Sequence, residues 1–164
     1  MALISYFHFS FTVSDLERSI AFYRDLLGLR LVHRMVHDQK YTSSQIGFKD
    51  ALLKVALFNI ADMPQGASPS GHVLELIEYV NPRGEPLDAA TNRPGAAHLA
   101  LQVDNLEAEF VRLNAAGVQF RSDAPVPITH GRHSGGLTCY LLDPDGITLE
   151  MIELPVPFTP QDLD

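Results

Sequence analysis

The sequence predicts an α+β protein built from two copies of one module, each opening with a strand, continuing through a helix and closing in further strands. Three observations carry this expectation. His8, Val13, Leu16 and Glu17 recur as His98, Val103, Leu106 and Glu107, ninety residues on. Leu74-Glu75-Leu76-Ile77-Glu78 recurs as Leu149-Glu150-Met151-Ile152-Glu153, seventy-five residues on. In each copy, period-two alternation gives way to apolar residues at helical spacing soon after the histidine.

The elements follow in order. Leu3 to Phe11 is apolar, without a basic leader or a small-residue cleavage site, and reads as the first strand. Phe7, Phe9, Phe11 and Val13 share one face, leaving His8, Ser10 and Thr12 on the other. Ser14 with Glu17 resembles a capping box, and Leu16, Ile20, Tyr23 and Leu27 form a helical stripe ended by Gly28. Strand-like runs then cover Leu29 to Val36, Thr42 to Phe48, Leu52 to Phe58 and Val73 to Val80. In the second copy Ala97, Leu99, Leu101 and Val103 oppose His98, Ala100 and Gln102. Asp104 is the expected helix cap, Leu106, Phe110 and Leu113 the stripe, and Gly117 the stop. The later strands are read over Val118 to Arg121, Ile128 to His133, Leu137 to Leu142 and Thr148 to Leu154. Asn59 to Gly71 is read as a loop inside the first module, and Asn81 to Pro94 as the connection between modules. The expected organisation is one domain over 1–164, with modules at 4–80 and 95–155 and a linker at 81–94.

Composition narrows the partners. A hydrophobic share of 46 % and a charged share of 20 % over 164 residues suit one cored globular unit. Twelve basic against twenty acidic residues give a formal charge of -8, which repels phosphate backbones and anionic lipid. Neither nucleic acid nor membrane is expected as a partner. No apolar run reaches the length of a membrane span. The single cysteine, Cys139, excludes an internal disulfide, lies in an apolar stretch as a core residue, and fits a reducing, cytoplasmic location.

The chemistry resides in the repeated polar residues. A carboxylate on an apolar strand is costly unless a cation or hydrogen bonds compensate it, and Glu75 and Glu150 both alternate with apolar neighbours. If the modules pack about a pseudo-twofold axis, His8, Glu75, His98 and Glu150 converge. Two imidazoles and two carboxylates suit one divalent ion: nickel, cobalt, zinc, manganese or iron.

With His8 through Val13-Ser14-Asp15, the Phe22-Tyr23 pair and Leu26-Leu27-Gly28 at the start, and Asp143-Pro144-Asp145-Gly146 before Glu150 at the end, nearly the whole chain resembles the vicinal oxygen chelate superfamily. That superfamily contains glyoxalase I, methylmalonyl-CoA epimerase, extradiol dioxygenases, fosfomycin-resistance enzymes and bleomycin-resistance proteins. The resemblance implies paired βαβββ modules forming an open, cup-shaped sheet around a metal cleft, with a small-molecule substrate and a homodimeric assembly. It places His8, Glu75, His98 and Glu150 at the family's four ligand positions. The ligand pattern is most similar to bacterial glyoxalase I. The departures are a longer chain, a long linker and a closing strand without aromatic character.

The expected activity is therefore that of a glyoxalase-like lyase or isomerase, which removes a proton beside a carbonyl and stabilises the enediolate. Glu150, with Glu75 opposite, is expected as ligand and base, and His8 and His98 as ligands. An extradiol-type ring-cleaving dioxygenase would instead use His8, His98 and Glu150. A ligand-binding or antibiotic-resistance protein without turnover is the third reading. No set of arginines stands out as a glutathione site; the candidates are Arg34, Arg93, Arg121 and Arg132. His130 and His133 belong to an exposed hairpin or a cover over the cleft, and Tyr79 to the pocket or to packing. His33, His37 and His72 are read as surface or edge residues, and Glu78 and Glu153 as sheet-edge or interface residues.

Overall fold

The computed structural model describes residues 7–59 and 73–155, and divides the chain into two compact units, Met1–Leu87 and Asp88–Asp164. The start of the first strand before Phe7, the loop beyond Asn59 and His72 lie outside the described residues. The fold is α+β, as the alternating and helical patterns required.

In the first unit β1 (Phe9–Thr12) leads into α1 (Leu16–Ile20), which continues as a π-helical stretch, Ala21–Leu26. Then come β2 (Arg30–His37), α2 (Lys40–Ile46), β3 (Leu52–Asn59) and β4 (Val73–Asn81). The sheet order is β1-β4-β3-β2, with β1 parallel to β4 and the other pairs antiparallel. In the second unit β5 (Leu99–Gln102) leads into α3 (Leu106–Ala115), followed by β6 (Gln119–Phe120), β7 (Val126–Pro127), β8 (Leu137–Leu142) and β9 (Thr148–Glu153). Its order is β5-β9-β8-β6, with β7 also pairing β8. The first strand of each unit thus pairs with its last, in parallel.

The helix covers one face of its sheet because both present apolar residues there. Leu16, Ile20 and Tyr23 are buried with Ala56, Phe58, Leu74 and Leu76, the Tyr23 and Phe58 rings lying 6.2 Å apart. Leu106, Phe110 and Leu113 are buried with Cys139, Leu141, Leu149 and Met151. Each leucine, isoleucine, phenylalanine or methionine among them contributes about 1.5–3 kcal/mol on removal from water.

Several expected details are corrected. The run from Thr42 to Phe48 is not a strand but holds most of helix α2. Thr42 is buried and Ser43 and Ile46 half-buried, while Ser44 and Gln45 face solvent, which is helical spacing despite the β-branched residues. Gly47 then takes a left-handed conformation (φ 78°) that ends the helix. Without that extra strand, three strands follow α1.

Ile128 to His133 is not a strand either. β7 stops at Pro127, and a turn closes through Gly135 N–H to the Ile128 carbonyl at 2.8 Å. The following Gly136 runs so close to the backbone that a Cβ there would meet the Glu153 carbonyl at 2.4 Å.

Both helix caps lie one residue later than expected. Asp15, not Ser14, accepts from Arg18 N–H at 3.0 Å, and Asn105, not Asp104, accepts from Ala108 N–H at 2.9 Å. The carbonyls of Asp15 and Asn105 take the first helical bonds, from Ser19 and Glu109, which defines them as the caps. The Arg18 hydrogen bond is the leading cause that holds the Asp15 carboxyl below the usual range.

Glu78 and Glu153 are not free edge residues. Glu78 Oε2 accepts the Leu16 N–H at 3.2 Å, and Glu153 Oε2 accepts the Leu106 N–H at 2.6 Å. Each satisfies a donor at a helix N-terminus, where the macrodipole favours negative charge.

Candidate metal centre

Register places the histidines and glutamates. Ser10 lies opposite Glu75 across the parallel β1/β4 pair, and Ala100 lies opposite Glu150 across β5/β9. His8 and His98 sit two residues earlier, just before their strands, so each imidazole projects on the same side as its glutamate. His8 Nε2 is 3.3 Å from Glu75 Oε2, and His98 Nε2 is 3.3 Å from Glu150 Oε2. Side-chain exposure also matches: 37 % and 16 % in the first pair, 40 % and 19 % in the second. The two half-sites have the same construction.

A separation of 3.3 Å is long for a charge-assisted hydrogen bond. Two donors bound to one ion at about 2.1 Å stand about 3.0–3.4 Å apart, so each pair fits the edge of a coordination polyhedron. The donor chemistry suits a borderline divalent ion, and the half-exposed imidazoles leave it reachable. The structure brings His8 to Glu75 and His98 to Glu150, each within its own unit. Among the described residues it gathers no group of three or more His, Cys, Asp or Glu placed to hold a metal.

The surroundings of the two glutamates differ. Glu75 lies opposite Leu57 in β3, whereas Glu150 lies opposite Tyr140 in β8. The Tyr140 ring packs 5.3 Å from that of His98. Thr138 Oγ1 donates to Glu150 Oε1 at 2.8 Å. Sequence reading missed this hydroxyl, because nothing repeats it in the first module. Asp143 organises the turn into β9, its Oδ1 accepting from Asp145 N–H at 2.9 Å and Ile147 N–H at 2.8 Å. The Asp-Pro-Asp-Gly signature therefore sets the entry to the glutamate strand.

The other candidates have contacts or exposure of their own. Tyr79 packs edge-on to Phe48 at 6.1 Å. Arg34 pairs with Glu17, and Arg93 with Asp88 at 2.5 Å, while Arg121 and Arg132 are exposed. His33 is exposed on the edge strand β2, and His37 Nδ1 meets the Tyr41 hydroxyl at 3.1 Å. His130 is exposed and bonds Thr129 Oγ1 at 2.8 Å, and His133 lies in the turn before β8. Cys139 is a free, buried thiol, pushed up to about 11 first by burial and then by the Glu150 charge. No helix among the described residues is long and apolar enough to cross a membrane.

Known proteins share this arrangement of elements. The chain is 29 % identical over 160 residues to a 2-epi-5-epi-valiolone epimerase of an Actinomyces species, covering 94 % of this chain and 82 % of that one. It is 30 % identical over 151 residues to the lactoylglutathione lyase of Salmonella typhimurium, covering 89 % and 90 %. Among solved structures, a glyoxalase family protein from Bacillus cereus superposes with a TM-score of 0.76 at 20 % identity, covering 94 % of this chain and 96 % of that one. The family model described as Glyoxalase/Bleomycin resistance protein/Dioxygenase superfamily matches residues 5–151, and with the duplicated His–Glu strands it establishes that the chain belongs to that superfamily.

Proposed function

We propose that the protein is a divalent-metal-dependent lyase or isomerase that moves a proton next to a carbonyl of a small oxygenated substrate, with His8, Glu75, His98 and Glu150 supplying the ligands of one ion. The observation that carries this reading is the pair of His–Glu contacts, at the same strand register and the same 3.3 Å separation in both units. Relatives named as an epimerase and as lactoylglutathione lyases support it. The equivalence of the two pairs favours four ligands over the three of a ring-cleaving dioxygenase.

A bound divalent ion supplies Lewis-acid stabilisation of negative charge on the substrate oxygens. The protein's own groups do the rest. His8 and His98 would hold such an ion through their imidazoles, and the carboxylates of Glu75 and Glu150 would balance its charge. Glu150, or Glu75 from the other half, takes the proton from the carbon beside the carbonyl, which leaves an enediolate. The same carboxylate can return the proton to the adjacent carbon, whereas inversion at the original carbon needs the other glutamate to supply a proton from the opposite face. The strands hold both carboxylates in fixed register, so neither has to be recruited from a loop.

The test is metal content by mass spectrometry on untagged protein, beside a His8→Ala, Glu150→Ala double variant. About one ion per chain in the parent and little in the variant is expected. A parent that holds no ion and cannot be loaded with one removes the catalytic reading.

A further inference from the structure

The two half-sites share register but not their neighbours. In β8/β9, Tyr140 faces Glu150 and Thr138 faces Ile152; in β3/β4, Leu57 faces Glu75 and Val55 faces Ile77. Thr138 and Val55 therefore occupy the same place relative to their glutamates, two residues along the neighbouring strand. One carries a hydroxyl and the other a methyl group.

The Thr138 hydroxyl proton is within reach of two acceptors, Glu150 Oε1 at 2.8 Å and the Met151 carbonyl at 3.2 Å. The shorter contact is to a carboxylate, where a hydrogen bond is about twice as strong as one between neutral groups. Glu150 then has its two oxygens divided: Oε1 held by Thr138, and Oε2 3.3 Å from His98 Nε2. Tyr140 packs against the ring of that same histidine. Glu75 has its Oε2 at His8, and no described side chain donates a hydrogen bond to its Oε1.

We propose that Thr138 is a positioning residue of the second half-site: its hydroxyl fixes the Glu150 carboxylate so that one oxygen alone is turned to the metal, a restraint that the Val55 side chain, in the equivalent place beside Glu75, cannot supply. The inference rests on the metal-dependent reading above. Partners that orient a ligand in this way typically contribute about 10–100-fold in metal affinity. Nothing in the repeated sequence pattern points to this residue, since the hydroxyl is confined to one copy.

The experiment is a calorimetric titration of chelator-treated protein with cobaltous ion, together with its visible absorption spectrum, for the parent, Thr138→Val and Thr138→Ser. Thr138→Val keeps the side-chain shape and is expected to bind about 10–100-fold more weakly with shifted cobalt bands, and Thr138→Ser to restore both. A residue that serves only the strand would move the melting temperature and leave cobalt affinity and bands unchanged. That result, with the parent still binding cobalt, overturns the role of Thr138 and leaves the metal reading intact. A parent that does not bind cobalt overturns both.

Discussion

The first unit and the second are two solutions to one problem, and they agree where chemistry is exacting. Both place a histidine just before a short parallel strand, set a glutamate diagonally across from it, and use a second glutamate three residues on to receive the helix N-terminus. They diverge where the framework is permissive. The first inserts α2 between β2 and β3, and the second spends the corresponding stretch on β7 and a turn. What the comparison teaches is that the histidine-facing side and the helix-facing side of one strand are specified together. In β4 and β9 the two glutamates point to opposite faces, and each has its own electrostatic task.

The largest expected effect tests whether the halves are chemically equivalent. Glu75→Gln and Glu150→Gln should each be assayed for solvent-deuterium incorporation into substrate. Loss of the base lowers exchange by about 10²–10⁴-fold. Equal losses make the halves equivalent, and a loss confined to one variant assigns the base to that half. Exchange that persists unchanged in both variants removes the glutamates from proton transfer.

A smaller effect separates the two helix-capping glutamates. Glu78 is buried and also faces Lys54 Nζ at 3.4 Å and Arg83 at 3.7 Å, whereas Glu153 makes the 2.6 Å amide contact. Replacing either by Ala leaves a helix amide without its acceptor, at about 1.5–3 kcal/mol. Thermal unfolding should show Glu78→Ala as the more damaging, because Glu78 is the more deeply buried of the two and its loss also removes the ion pairs with Lys54 and Arg83. A Glu153→Ala variant that melts lower than Glu78→Ala would contradict that ranking.

The smallest effect concerns Cys139, which pairs with Met151 as Ala56 pairs with Leu76. Its thiol is raised from 9.0 to about 11, so the folded state keeps a proton that the unfolded chain releases earlier. The associated stability is present below about pH 9 and is lost as pH rises toward 11. Cys139→Ala should unfold with a flatter pH dependence across that window. In the parent, alkylation at pH 8 should be slow until the protein is denatured.

How much of this was legible in the sequence follows from which contacts are periodic. The duplication, the ligand candidates and most strands were readable because His8 and His98, and Glu75 and Glu150, keep constant spacing within alternating patterns. Thr42 to Phe48 reads as a strand because its β-branched residues outweigh a weak helical period carried by Thr42, Ser43 and Ile46. The roles of Glu78 and Glu153 depend on contacts across 62 and 47 residues, which no local pattern encodes. Thr138 is an ordinary strand residue until β8 is laid against β9. The caps were each displaced by one residue because two adjacent cap-forming side chains, Ser14-Asp15 and Asp104-Asn105, compete for the position.

The parallel pairing of first strand with last has a consequence for how the chain emerges from a ribosome. β1 and α1 are made early, yet the described partners of β1 and of the Leu16 amide lie on β4, as those of β5 and the Leu106 amide lie on β9. The pairing of the first strand and the acceptor for the helix amide are thus both supplied only once the final strand of the module has been made. Removal of β9 alone would leave β5 without its described partner and the Leu106 amide at the start of α3 without its acceptor, so a truncation that stops short of β9 undoes both ends of the second unit.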